Sequence, residues 1–183
     1  MINSKKIKLR KRSLADAVEN YAWLTDPELT RLDAAPIFNA TFAHYLAVYR
    51  EELGYTSRKR CAFAVETADG KHVGNCSYYD INDKKKEAQL GIMIGNRDYW
   101  DKGYGTEAVT ALLKHIFRET DLNRVYLKTL VSNIRAQRCF QKCGFVFSGH
   151  LDRDGYHFIL MELRRKQWQE QQPRQPEGKT DDG

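Results

Sequence analysis

The stretch Tyr99–Val109, YWDKGYGTEAV, crowds two glycines and a lysine against the start of a helix. Gly103 and Gly105 carry no Cβ, so a ligand can press against the main chain there. Beyond them AVTALLKHIF places Ala108, Ala111, Leu112, His115 and Ile116 at helical spacing. Free N–H groups at a helix start, together with the positive end of the dipole, make an anion site, most often for phosphate. A flexible turn before an amphipathic helix accounts for the same residues equally well, so the flanks have to decide.

No Gly-x4-Gly-Lys-Ser/Thr string of a Walker loop occurs. Gly103–Ala108 fits the G-x-G-x-x-A dinucleotide fingerprint, but that fingerprint follows a strand directly and leads to an acidic residue at the end of the next strand. Here the preceding strand-like run ends near Ile94, leaving a loop to Asp101, and RVYLKTLV closes on Ser132 and Asn133 with no carboxylate. A dinucleotide fold is disfavoured.

Outward from the glycine loop, Lys6–Arg12 alternates charge with Ile7 and Leu9 as a first strand. Ser13 and Asp16 cap a helix, LADAVENYAWL. Pro27 opens a short helical turn, and NATFAHYLAVYREEL from Asn39 is an amphipathic helix with Phe42, Tyr45, Leu46 and Tyr49 on one stripe. CAFAVET and KHVGNCSYYDI flank an Asp-Gly turn, a hairpin signal, and KKKEAQLGIMIG supplies a further strand. After the glycine loop and its helix come the strand Arg124–Val131 and a helix from Asn133 to Cys143, stopped by Gly144. A last hairpin turns on DRDG. The order β α α β β β α β α β β is that of a mixed α/β sheet with helices on both faces. One domain over 1–169 is expected, followed by a disordered polar tail over 170–183.

The chain of 183 residues is 42% hydrophobic and 30% charged, as expected of an ordinary soluble globular protein. A net charge of +6 favours a polyanionic partner: nucleic acid, a membrane surface or a phosphate-rich cofactor. The start MINSKKIKLRKRS has no apolar core of a secretory signal, and no run reaches transmembrane length. Cys61, Cys76, Cys139 and Cys143 form no C-x-x-C pair, and no His or Cys completes a zinc set around the last two. They read as reduced packing residues of a cytoplasmic protein.

Two blocks resemble the GNAT superfamily of acyl-CoA-dependent N-acyltransferases, and most of all its Rim-type branch, which includes ribosomal-protein N-terminal acetyltransferases and many small-amine and amino-sugar acetyltransferases. The pyrophosphate motif Gln/Arg-x-x-Gly-x-Gly/Ala appears as Trp100-Asp101-Lys102-Gly103-Tyr104-Gly105, departing at its first position. NIRAQRCFQKCGF resembles the family's Asn-x-x-Ala/Ser…Lys-x-Gly-Phe helix through Asn133, Ala136, Lys142, Gly144 and Phe145. The resemblance runs from about Ile7 to Leu163 and is diffuse before Cys61. It implies acetyl-CoA as co-substrate, no metal, and an amine acceptor attacking the thioester directly in a ternary complex.

The resemblance further implies that the amides of Asp101, Lys102, Gly103, Tyr104, Gly105 and Thr106 cradle the pyrophosphate. The main chain of Ile92, Met93 and Ile94 would hold the pantetheine as an added strand. A backbone N–H near Met93 would face the thioester oxygen, while Asn133 and Lys142 would contact the cofactor. Asn133 serves equally well as a helix N-cap. The proton-transfer slots depart from the family pattern. Gln89 stands where relatives place a glutamate base, and Phe140 where they carry a tyrosine acid. Glu87, on the same strand face, is the substitute base, with pairing to Lys84–Lys86 as the competing reading. Cys139, Tyr156 and His157 are substitute acids, and Asp152 and Asp154 could hold an ammonium.

Freeing an amine at pH 7 costs about 4.6 kcal/mol for a lysine but only about 1 kcal/mol for an α-amine. Weak base equipment thus favours protein N-termini, amino sugars or other small amines. Competing readings are a non-catalytic acyl-CoA-binding module and a ribosome- or RNA-associated protein using Lys5–Arg12. That arm lacks aromatic interleaving for base stacking, which disfavours nucleic acid. No membrane partner is expected, and a homodimer is left open.

Overall fold

The computed structural model describes residues 1–172. Its strands are β1 Ile2–Asn3, β2 Ile7–Arg10, β3 Arg60–Thr67, β4 His72–Asn82, β5 Glu87–Ile94, β6 Arg124–Leu130, β7 Val146–Arg153 and β8 Tyr156–Arg164. The helices are α1 Ala17–Leu24, α2 Pro27–Leu32, α3 Phe42–Gly54, α4 Tyr104–Glu119, α5 Ile134–Lys142 and α6 Arg165–Glu170. The strands form one eight-stranded sheet in the order β1-β2-β3-β4-β5-β6-β8-β7, antiparallel throughout except for the parallel pair β5–β6.

Alternation assigns the two faces. Ile7 and Leu9 of β2, Val65 of β3, Cys76 and Tyr78 of β4 and Ala88 and Leu90 of β5 are buried in the core cluster beneath α4. That helix buries Ala108, Ala111, Leu112 and Ile116 of the expected stripe, with Val109, Leu113 and Phe117 beside them, while His115 is only partly buried. α6 closes the same core through Trp168, whose ring centroid lies 5.4 Å from that of Phe117. The opposite face of β4 and β5 carries Asn75, Ser77 and Tyr79 beside Gly91 and Met93. α1 and α3 cover it around a smaller cluster of Ala17, Tyr45 and Tyr49.

The N-terminal helices differ from expectation in detail. Ser13 opens a 3-10 turn, Leu14–Asp16, before α1 begins. Asp26 caps α2 by accepting from the amides of Glu28 and Leu29, with Pro27 at the first helical position. α3 starts at Phe42 rather than Asn39, because Thr41 takes the cap and accepts from His44 N. Phe42 is 36% exposed, so the buried stripe is carried by Tyr45 and Tyr49. Of the expected polar tail, residues 173–183 lie outside the described residues, while Glu170 ends α6. Among the described residues no helix is long and apolar enough to cross a membrane.

The feature that positions the site is a split in the sheet. β5 pairs with β6 only at Glu87↔Arg124, Ala88↔Val125 and Gln89↔Tyr126. β5 then stays with β4 as far as Gly74↔Ile94, and β6 stays with β8 as far as Leu130↔Phe158. The two central strands part like the arms of a V, and the start of α4 faces the opening.

Candidate active site

Gly103 has φ +85, a left-handed conformation that an L side chain resists by roughly 1–2 kcal/mol, and it caps α4. The first helical bond runs from Glu107 N to the Gly103 carbonyl at 3.0 Å. The amides of Tyr104, Gly105 and Thr106 therefore precede the helical ladder and remain free donors at the positive end of the dipole. A Cβ on Gly105 would stand 3.6 Å from Cys139 Sγ and 3.7 Å from Ile94 Cγ1, ordinary contact distances. The protein's own packing thus leaves room for a side chain at Gly105, so the bare backbone there serves whatever enters from outside.

What it serves is a cavity of about 380 Å³ lined by Ile92, Met93, Ile94, Asp101, Gly103, Gly105, Thr106, Asn133, Cys139, Phe140 and Lys142. The structure therefore brings most of the expected cofactor residues together. The amides at the start of α4, with Arg135, Arg138 and Lys142 on the rim, suit the phosphates of acetyl-CoA, and the open edge of β5 suits its pantetheine. Two side chains turn elsewhere. Tyr104 packs edge-on against Tyr99, with centroids 4.8 Å apart, and Lys6 lies over its ring. Lys102 does not line the cavity, and its carbonyl accepts from Lys6 Nζ at 3.1 Å.

Trp100 explains the departure at the first motif position. Its indole N–H donates to the Ile94 carbonyl at 2.6 Å, closing off the end of β5. The Arg135 guanidinium lies 3.3 Å from the centroid of the same ring. One side chain thus locks the strand end and orients a cation of the rim.

The main chain corrects one expectation. Gly95 N donates to Val73 O in the β4 direction, while the Ile94 carbonyl meets Trp100 on the open side. The β4–β5 register is regular from Tyr79↔Gln89 to Gly74↔Ile94. Alternation then turns the peptide groups of Ile92 and Ile94 to the opening and those of Met93 to β4. The N–H of Met93 itself is engaged with the neighbouring strand, and of the N–H groups near it Ile92 presents the free one.

Asn133 is the N-cap of α5, accepting from Ala136 N at 3.2 Å, and its amide also donates to the Leu32 carbonyl at 3.5 Å. Cys139 accepts from the Thr106 hydroxyl at 3.5 Å. Hydrogen bonding from Cys143 lowers the Cys139 thiol to about 7 against the opposing effect of burial, with Thr106 and Lys142 assisting. Phe140 is buried, edge-on to Phe145, and reaches the cavity wall.

A second cavity, of about 510 Å³, opens on the α1–α3 side of β4 and β5. Asn20, Tyr45, Tyr49, Asn75, Ser77, Tyr79, Arg12, Glu52 and Arg60 line it, and it shares Asp33, Ile92 and Met93 with the first. Its polar wall is braced. Asn75 donates to Asn20 at 2.6 Å, Asn20 to the Tyr49 hydroxyl at 3.2 Å, and Gln89 to the Tyr79 hydroxyl at 2.8 Å. Gln89, in the slot relatives use for a base, therefore holds a tyrosine in place. Sequence reasoning missed the polar side chains of this wall, because they come from separate elements with no common spacing.

Glu87 lines neither cavity. It accepts from Arg124 at 2.8 Å, and Arg124 also donates to Glu162 at 2.6 Å. Six residues of extended strand, about 20 Å, separate it from Met93. The partner differs from the expected Lys84–Lys86, since cross-strand register with β6 brings Arg124 alongside. Asp152, Asp154, Tyr156 and His157 lie on the β7–β8 hairpin, line neither cavity, and His157 pairs with Asp152 at 2.8 Å. The structure does not bring them to the site.

Comparison with known proteins accords with this geometry. Residues 6–146 match the acetyltransferase (GNAT) domain family, and the chain belongs to it. Over 100 residues it is 32% identical to the spermine/spermidine N(1)-acetyltransferase of Bacillus subtilis, a match covering 52% of this chain and 66% of that enzyme, just under two thirds of its length. The solved structure of spermidine N-acetyltransferase from Vibrio cholerae in complex with CoA and spermine aligns with a TM-score of 0.79 at 20% identity, covering 89% of this chain and 98% of that one. An aminoglycoside acetyltransferase in complex with coenzyme A and kanamycin gives 0.74 at 21% identity, with 90% and 98% covered. At these identities the structural likeness establishes the fold, the mixed sheet with helices on both faces read from the sequence.

Proposed function

We propose that the protein is an acetyl-CoA-dependent N-acetyltransferase that acetylates a primary amine by direct attack, with both substrates bound at once. The observation that carries this reading is the meeting of two cavities, one with a phosphate cradle and one with a polar wall, at Asp33, Ile92 and Met93. Acetyl-CoA supplies the activated acetyl group. The chain's residues bind and orient. The free amides of Tyr104–Thr106 receive phosphate, the β5 edge aligns the pantetheine, and the Ile92 N–H stabilises negative charge on the thioester oxygen. Cys139 donates the proton that the departing thiolate needs, a role supported by its presence in the cavity wall beside the Thr106 hydroxyl.

The acceptor is a small amine of low pKa: a peptide α-amine, as the Rim-type branch would take, or an amino sugar. The charge of the second cavity supports this reading over a polyamine. Its carboxylates are Asp33 and Glu52, its cations Arg12 and Arg60, and Glu52 is already paired with Arg12 at 2.9 Å. A polyamine with several ammonium groups would find no surplus of negative charge there. The catalytic domain is taken as 1–169, and the proposed setting is the cytoplasm. A homodimer is a further proposal, testable by light scattering.

Thiol release from acetyl-CoA across an amine panel tests the whole reading. A peptide with a free N-terminus and glucosamine should outpace spermidine and an N-blocked lysine peptide. An unassisted lysine amine starts about 3.5 kcal/mol behind an α-amine at pH 7. Absence of turnover with every amine would leave the non-catalytic binding module as the better account.

A further inference from the structure

We propose that Asp33 is the catalytic residue that takes the proton from the attacking amine, a role that rests on the N-acetyltransferase reading above. The observation behind it is placement: Asp33 lines both cavities at their junction, across from Ile92 and Met93. Among the described residues it is the one carboxylate common to the two.

Its position is held from several sides. Asp33 is the C-cap of α2, its amide bonded to the Leu29 carbonyl at 3.0 Å. The start of α2 is clamped by Arg97, which donates to Asp26 at 2.8 Å and to Glu28 at 3.0 Å. Its end is tied to α5 through the Asn133 amide on the Leu32 carbonyl. The helix therefore spans the mouth of the cleft and delivers one acid to the place where the substrates must meet.

The surroundings suit a base working near neutrality. Asp33 is exposed to the cavities, and partial burial among its neighbours pushes its carboxyl up to about 6, while Lys128 of β6 pulls the other way. A carboxylate at a helix C-terminus also gains nothing from the dipole. Tyr79 of β4 feels the Asp33 charge, Arg60 of β3 and Arg12 share the acceptor cavity, and Arg135 of α5 shares the other.

The protons balance as follows. The amine enters as R–NH3⁺ and gives one proton to the Asp33 carboxylate. Its nitrogen forms the C–N bond as the C–S bond breaks, and its second proton is matched by the one that the thiolate acquires. Asp33 returns its proton to solvent, so the net products are the amide, free thiol and one H⁺. Proton transfer to a base with pKa near 6 is uphill by roughly 100-fold from an α-amine but by more than about 10,000-fold from a lysine amine, so the base serves the former far better, which agrees with the acceptor class.

Two measurements test this. In protein labelled with ¹³C-carboxyl aspartate, one resonance should titrate at about 6 and vanish in Asp33→Asn. In steady-state kinetics with acetyl-CoA and either a free-N-terminus tripeptide or glucosamine, Asp33→Asn should lower kcat by about 100-fold. It should also lose the acid limb near pH 6 while the affinity for acetyl-CoA stays unchanged, and Asp33→Glu should restore part of that limb. Retention of rate and limb in the Asn variant overturns the proposal, as does a resonance titrating near the ordinary 3.8. If neither amine is acetylated by the unmodified protein, the acetyltransferase reading fails for these acceptors, and the resonance still decides whether Asp33 is poised as a base.

Discussion

On one side of Met93 the cleft offers main chain for binding: the free amides of the α4 first turn and the edge of β5 left bare where β6 diverges. On the other side it is side chains from α1, α3, β3 and β4: Asn20, Tyr49, Arg60, Asn75 and Tyr79. A main-chain wall tolerates substitution except where a side chain would fill it. A side-chain wall can be retuned residue by residue without disturbing the sheet beneath. The first suits a co-substrate that never changes, and the second suits an acceptor that differs between relatives.

The sharpest way to break this contrast is to fill the main-chain wall. Gly105→Glu adds bulk and negative charge among the phosphate-facing amides, and a Cβ there meets only ordinary contacts, so the fold should survive. Acetyl-CoA affinity measured by calorimetry should fall by about 100-fold or more, since one helix-terminus anion site cannot hold two anions. Unchanged affinity with an intact thermal transition would show that the cofactor lies elsewhere.

A smaller effect is expected at Cys139, the side chain of the cofactor wall proposed to protonate the departing thiolate. Cys139→Ala should lower kcat by about 5-fold, short of the range for full general acid catalysis because a thiolate leaves unaided at a cost of about 2 kcal/mol at pH 7. The sign with pH follows from the thiol lying at about 7. Below that pH Cys139 holds the proton it would give, and above it the donor is lost. Turnover of the unmodified protein should therefore decline above neutrality more than that of the alanine variant. Parallel profiles would remove Cys139 from the chemistry. Phe140→Tyr restores a hydroxyl to the same wall and should raise kcat by about 2-fold where thiolate departure limits turnover, which a solvent isotope effect can establish.

The two sides were also unequally legible. Ile7 and Leu9, the α4 stripe, the Asn133 cap and the glycine loop are local patterns, each contained within one turn or one strand, so spacing alone reveals them. The acceptor wall has no such signature, because Asn20 and Asn75 meet only after α1 folds across β4. Asp33 is one acid among many in the sequence, and only the path of α2 across the cleft sets it apart. Trp100 was visible as a deviation from a motif, but its function needed the 2.6 Å bond to Ile94. α6 escaped notice because RKQWQE offers Trp168 as its single large apolar residue.

Glu87 provides the finest test, where the expected effect on turnover is none. The family's base slot at Gln89 points to it together with face alternation, since Glu87, Gln89, Gly91 and Met93 share one side of β5. Register overrules that reading: the parallel pairing of β5 with β6 begins at Glu87↔Arg124, and the carboxylate is used there. Both Glu87 and Glu162 are 18% exposed and Arg124 27%, so the three charges are only partly screened by water. Glu87→Gln keeps the shape and leaves Arg124 its bond to Glu162. It should cost about 0.5–1.5 kcal/mol of stability, within the range for a hydrogen bond to a charged group set against a surface ion pair. Urea unfolding would measure that loss, while kcat and kcat/KM should match the unmodified protein within about 2-fold, since the residue stands about 20 Å along the strand from Met93. A ten-fold or larger fall in kcat with stability preserved would return Glu87 to the chemistry. It would mean that protons travel along the open arm of β5 to reach it, and that the division between a structural base of the V and a reactive tip does not hold.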